Sequence, residues 1–175
     1  MRFFKTFWTG FVWASLLTAC GGGGGGSTSA LLTERGQLID SPVEGLSYKT
    51  LTQTGVTAAD GGFDFIKGEQ VTFSLGAINF PITKASIIVT PVNMSPTGNA
   101  DSSEATNIAY LLQALDEDGD PSNGIKIPTG LDKLATTAVN FSLSPSSFVA
   151  LEQVVNLAGS TKVPTAHGSP TPVAP

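Results

Sequence analysis

Between Gly36 and Phe80, apolar and polar residues alternate in short runs separated by turn residues, the pattern of β-strands rather than helices. Gly36 to Asp40 reads as one strand and Ser41-Pro42 as a turn. Val43 to Thr52 reads as a second strand that packs through Val43, Tyr48 and Leu51. Asp60-Gly61-Gly62 turns the chain into Phe63-Asp64-Phe65, whose two rings share a face, and Lys67-Gly68-Glu69 turns it again. Val71, Phe73 and Leu75 then alternate with Thr72 and Ser74 and point inward; Ile87-Ile88-Val89 predicts a further strand, and Thr90 to Asn99 a loop.

Beyond residue 100 the period lengthens. Asp101, with Glu104 three residues on, has the spacing of a helix N-cap, and Ala105, Ile108, Leu111, Leu112 and Leu115 fall on one helical stripe. Ser144-Pro145 predicts a second helix start, an N-cap followed by proline in the first turn. That helix continues through Phe148, Leu151, Val154, Val155 and Ala158 to Gly159. The expected fold class is α+β: a small antiparallel β-sandwich-like region over 34–95 and a helical region over 96–160 carrying two amphipathic helices and an acidic loop. Residues 161–175, with four prolines and no aromatic residue, predict a disordered tail.

The first nineteen residues belong to a different category. Arg2 and Lys5 precede an apolar stretch, Phe7 to Leu17, which is shorter than the roughly 20 residues a bilayer span requires, so the segment reads as a signal peptide. It ends in Leu17-Thr18-Ala19-Cys20, which resembles the lipobox of bacterial lipoproteins. The resemblance implies cleavage before Cys20 and a covalent lipid on that cysteine, with the membrane as partner through the anchor. Gly21 after the cysteine implies the outer membrane or cell surface, the periplasmic face remaining open. Gly21 to Gly26 and Ser27-Thr28-Ser29 predict a flexible linker over 20–33.

Without the signal peptide, seven basic residues face fourteen acidic ones, a net charge of −7, which argues against nucleic acid as a partner. Lipid on Cys20 leaves no thiol for a disulfide. Catalysis has little to draw on. The one histidine, His167, sits in the proline-rich tail, and both tryptophans, Trp8 and Trp13, lie in the signal peptide, so neither a Ser-His-Asp triad nor an aromatic sugar cleft is expected.

One segment concentrates chemistry. Asp116-Glu117-Asp118-Gly119-Asp120-Pro121-Ser122-Asn123-Gly124 follows the first helix and places oxygens at alternate positions, Asp116, Asp118 and Asp120, with Asn123 as a further donor. Calcium takes six to eight such oxygens in a flexible shell. Carboxylates at a helix C-terminus also face the negative end of its dipole, at about 0.3–1 kcal/mol each, a penalty that a cation removes. The segment is not an EF-hand loop: Pro121 stands where that loop needs glycine, and Ile127 where it needs a bidentate glutamate. Two readings stay open, a looser calcium loop completed by residues such as Asp101 or Asp132, and a solvated acidic turn shaped by Asp-Gly and Asn-Gly.

Two longer resemblances bear on function. Gly36-x-x-x-Asp40-x-Pro42-Val43-x-Gly45, followed by Thr57-x-x-Asp60-Gly61-x-Phe63-x-Phe65, resembles the start of carboxypeptidase regulatory-like, or transthyretin-like, β modules of bacterial surfaces. Where that family continues with a Gly-x-Tyr strand and a final hairpin, this chain has Gly76-Ala77-Ile78-Asn79-Phe80-Pro81. The resemblance implies a Greek-key module that displays or spaces other modules without catalysis. Asn107 to Ile125 resembles a segment of uncharacterised Gram-negative surface lipoproteins. Together they imply a lipid-anchored, non-catalytic binding or adhesion module, calcium-stabilised where the acidic loop takes an ion, with a structural or accessory subunit of an envelope complex as the alternative.

Overall fold

The structure is a computed structural model that describes residues 32–161. The signal peptide, Cys20, the linker up to residue 31 and the tail from residue 162 lie outside the described residues.

The fold is α+β. In chain order its strands are β1 (Thr33–Leu38), β2 (Val43–Glu44), β3 (Ser47–Lys49), β4 (Thr54–Val56), β5 (Gly62–Ile66), β6 (Gln70–Leu75), β7 (Ile78–Asn79), β8 (Thr83–Lys84) and β9 (Ile88–Val89). Helices α1 (Pro91–Met94) and α2 (Ser103–Ala114) follow, then β10 (Ile125–Lys126), α3 (Pro145–Val149) and α4 (Glu152–Thr161). Strand β3 lies between β4 and β6, and β6 also carries β7 and β8, all antiparallel. A separate three-stranded sheet has the order β5-β1-β9.

The alternating strands behave as their pattern predicts. Val71, Phe73 and Leu75 of β6 are buried, as are Phe63 and Phe65 of β5. The Phe63 and Phe73 rings meet edge-on with centroids 5.2 Å apart, the geometry that aromatic quadrupoles favour. The stripe on α2 (Ala105, Ile108, Leu111, Leu112), continued by Leu115 at its C-cap, is buried throughout and shares one core with the strands and with Phe141, Phe148, Val154 and Leu157. Each large apolar side chain removed from water there contributes about 1.5–3 kcal/mol. Residues of the strand-rich and helical stretches therefore share a single interior.

Several expectations need correction. The strand over 43–52 is broken at Gly45, whose φ of +96° suits glycine and whose position would set a Cβ 2.9 Å from the Ile127 carbonyl. Leu51 is 89% exposed rather than packed, because the Thr50 hydroxyl accepts the N–H groups of Thr52 and Gln53 and closes a turn between β3 and β4. Two pairings are parallel, β1 with β9 and β2 with β10, where only antiparallel strands were expected.

The helix ends differ as well. Residues 90–99 contain α1, closed by a reciprocal cap in which Thr90 Oγ1 accepts from the Asn93 N–H and Asn93 Oδ1 from the Thr90 N–H. Ser102, not Asp101, caps α2 by accepting from the Ala105 N–H, while the Asp101 N–H donates to Asn99 Oδ1. Ser144 caps α3 as expected, but the predicted helix divides after Val149: a tight Leu151-to-Phe148 bond re-aims the chain and leaves Val155 54% exposed. Helix α4 runs through Gly159 to Thr161, whose hydroxyl faces the carbonyl of Ala114 at the end of α2 and so ties the two helices together.

Candidate functional site

Helix α2 ends at its C-cap, Leu115, and the acidic loop begins at the next residue, beside the last carbonyls of the helix, which form its negative pole. The loop then folds back onto β10. The Glu117 N–H donates to the Lys126 carbonyl, and Asp116 Oδ1 accepts the Lys126 N–H at 2.9 Å. Because β10 pairs with β2, with Ile125 opposite Val43, this brings Glu44 to the loop across more than seventy residues of sequence. Glycines at positive φ, Gly119 and Gly124, flank the 3₁₀ turn Pro121–Asn123 and let the chain reverse within a few residues.

The four predicted ligands separate into two groups. Asp116 is 3% exposed; one carboxylate oxygen holds Lys126, and the other, Oδ2, is buried without a hydrogen-bond partner. Asp118 stands beside it, accepting from the Asp120 N–H through Oδ1 and from the Asn123 amide through Oδ2, 2.8 Å away. Asp120 serves the turn instead, since its Oδ1 accepts from both the N–H and the hydroxyl of Ser122. Asp101 and Asp132 do not line the depression of about 370 Å³ at this point; Glu44, Glu117 and Lys126 do, alongside Asp116 and Asp118.

Four carboxylates thus face one ammonium, and that ammonium is engaged by Glu117 at 2.8 Å. Burial pushes the Asp116 carboxyl above its usual range; the Lys126 N–H works against this, and the neighbouring Asp118 charge adds to it. The Asn123 amide, followed by the Asp120 N–H, holds Asp118 below the usual carboxylate range. Glu117 holds the Lys126 ammonium above its ordinary value. The pair Asp116 and Asp118 can accept a proton or a cation. Among the described residues no three histidine, cysteine, aspartate or glutamate side chains converge as a metal cluster, so any further donors here are amide or backbone oxygens and water.

Glu44, Glu117 and Lys126 were not singled out from sequence. Glu44 reaches the loop only through a parallel pairing of two-residue strands, which leaves no local signature. Cys20 and His167, the one cysteine and the one histidine of the chain, both lie outside the described residues. No protein-family model, curated protein or solved structure matches the chain.

Proposed function

We propose that the chain is a lipid-anchored, non-catalytic binding or adhesion module of the outer membrane or cell surface. The observation that carries this reading is the order of segments in the sequence: a charged start, a short apolar run, Leu17-Thr18-Ala19-Cys20, six glycines, and then a unit with a continuous core. Lipid on Cys20 would hold the protein at a bilayer, more than one acyl chain being needed for a stable anchor. The glycine-rich stretch would space the folded unit from it. The binding part of the reading is supported by apolar side chains left in solvent: Leu51 in the β3–β4 turn, and Ile87 and Ile88 at β9, which ends the order of its sheet. Single exposed apolar residues are ordinary on protein surfaces, so these mark positions to test.

The test is expression of the full chain in a Gram-negative host fed an alkyne-bearing palmitate. Incorporation of label and membrane recovery by the wild type, both lost in Cys20→Ala, are expected. A wild type that takes up no label, or a Cys20→Ala chain that remains labelled and membrane-bound, overturns the anchor. Protease added to intact cells then separates display at the surface from a periplasmic position.

A further inference from the structure

We infer that the Asp116–Asn123 loop is a binding site for a divalent cation of the calcium class, with Asp116 and Asp118 as its charged ligands. Asp116 Oδ2 is buried and has no hydrogen-bond partner. A buried acceptor without a donor forfeits its hydration and receives nothing in return, and most such atoms in folded proteins have a partner. Its sister oxygen is spent on the Lys126 N–H. The charged neighbour of the carboxyl is Asp118, another anion, and the local ammonium, Lys126, is committed to Glu117. Asp116, with this orphan oxygen, thus belongs to the lining of a depression where four carboxylates outnumber one ammonium.

The chemistry of the donors selects the ion. All the charged ligands are oxygens, hard donors that suit calcium or magnesium rather than a soft metal. Asn123 now turns its Nδ2 to Asp118; rotating the amide by half a turn would put its carbonyl oxygen there instead. A loop with two positive-φ glycines and two side-chain carboxylates tolerates the irregular shell of calcium more readily than the strict octahedron of magnesium. Asp120, engaged with Ser122, is assigned to the turn and not to the ion. This inference is independent of the lipid anchor.

The experiment is calorimetric titration of calcium chloride into the full chain purified in detergent, with thermal unfolding followed in parallel in calcium, in magnesium and in chelator. Saturable binding is expected, with Tm rising on the order of 5–10 °C at a hundredfold excess over Kd. Magnesium should give a smaller rise, and both Asp116→Asn and Asp118→Asn should lose the effect. Asp118 is exposed enough for its variant to fold even if Asp116→Asn does not. Absence of heat and of a Tm shift at millimolar calcium overturns the site and leaves the two carboxyls sharing a proton. An undiminished shift in Asp118→Asn overturns the ligand assignment.

Discussion

Asn107 offers the sharpest test of how the helical stretch is held to the rest of the fold. It is fully buried on α2, and its Nδ2 donates to the carbonyls of Phe141 and Leu143, each at 2.8 Å. Those bonds fix the segment that carries Phe141, which stacks between Phe80 and Phe148. Asn107→Leu keeps the approximate size and deletes both donors. A buried carbonyl left unpaired costs about 1–3 kcal/mol, and the partly buried second one about 0.5–1.5 kcal/mol for its lost bond. Against this, the substitution also removes Asn107 Oδ1, itself buried without a partner, which returns roughly 1 kcal/mol. The net loss is about 0.5–3.5 kcal/mol, a sizeable part of the 5–15 kcal/mol that holds a typical domain.

Asn107→Asp separates hydrogen bonding from packing. It sets an acceptor against two carbonyl oxygens, so the new carboxyl must be raised in pKa in the folded state. The protonated form, present in both states below the unfolded value of about 3.9, is then the less costly one. Its deficit relative to the wild type grows as pH rises from there and levels off above the raised folded pKa, with a slope of up to about 1.4 kcal/mol per pH unit between. Urea unfolding followed by circular dichroism at several pH values reads both variants. The reasoning is refuted if Asn107→Leu stays within about 0.5 kcal/mol of the wild type, the range of ordinary surface substitutions. A pH-independent deficit for Asn107→Asp would refute the second half.

Two further outcomes follow from the β region. Gly36→Ala would place a Cβ 2.4 Å from the Ser86 carbonyl and 2.7 Å from the Phe63 ring, so a loss of more than about 2 kcal/mol is expected; Gly68→Ala, with open space but φ of +97°, should cost only about 1 kcal/mol in the same urea experiment. Asp60 should titrate below the ordinary aspartate value in an NMR pH series, because the Arg35 guanidinium donates to it at 2.9 Å and the Gly62 N–H adds a second bond. Since its folded pKa is the lower one, the stability it contributes is present above the unfolded value and lost as pH falls through the folded value. Arg35→Met should move that pKa back up, and an unchanged titration would remove Arg35 as the cause.

The parts of this fold that were legible in the sequence are those written in a few neighbouring residues. The alternation of Val71, Phe73 and Leu75, the shared face of Phe63 and Phe65, the stripe from Ala105 to Leu115 and the Ser144-Pro145 start all concern side chains within one element, and all are found. The misreadings arise where a competing partner decides, whether a near neighbour or distant chain. Ser102 displaces Asp101 as a cap because its hydroxyl reaches the Ala105 N–H while Asp101 is drawn back to Asn99. Helix α4 passes Gly159 because Thr161 finds the Ala114 carbonyl, and Gly45 interrupts a strand because the Ile127 backbone passes close by. In the acidic loop, sequence left an ion loop and a solvated turn both open over Asp116, Asp118, Asp120 and Asn123; the structure commits Asp120 to the turn through Ser122 and brings in Glu44 from β2, which no local signal foretold.

The residues behind the resemblance to surface β modules divide in an instructive way. Gly36 lies under the Phe63 ring, the Thr57 hydroxyl accepts from the Leu46 N–H, Asp60 closes the turn onto Gly62, and Gly61 takes φ of +74° against the Leu38 carbonyl. Asp40 accepts from Gln113 on α2. All of these contacts complete the fold, and none leaves a polar atom waiting for a ligand. The acidic loop differs in that one respect: Asp116 satisfies the backbone of β10 with one oxygen and leaves the other buried and unpartnered. A side chain recruited only to join helix to strand could do so as asparagine, which supplies the same acceptor at Oδ1 without a buried charge. That the position carries a carboxylate, next to a second carboxylate and at the negative end of a helix, is physically costly unless positive charge arrives.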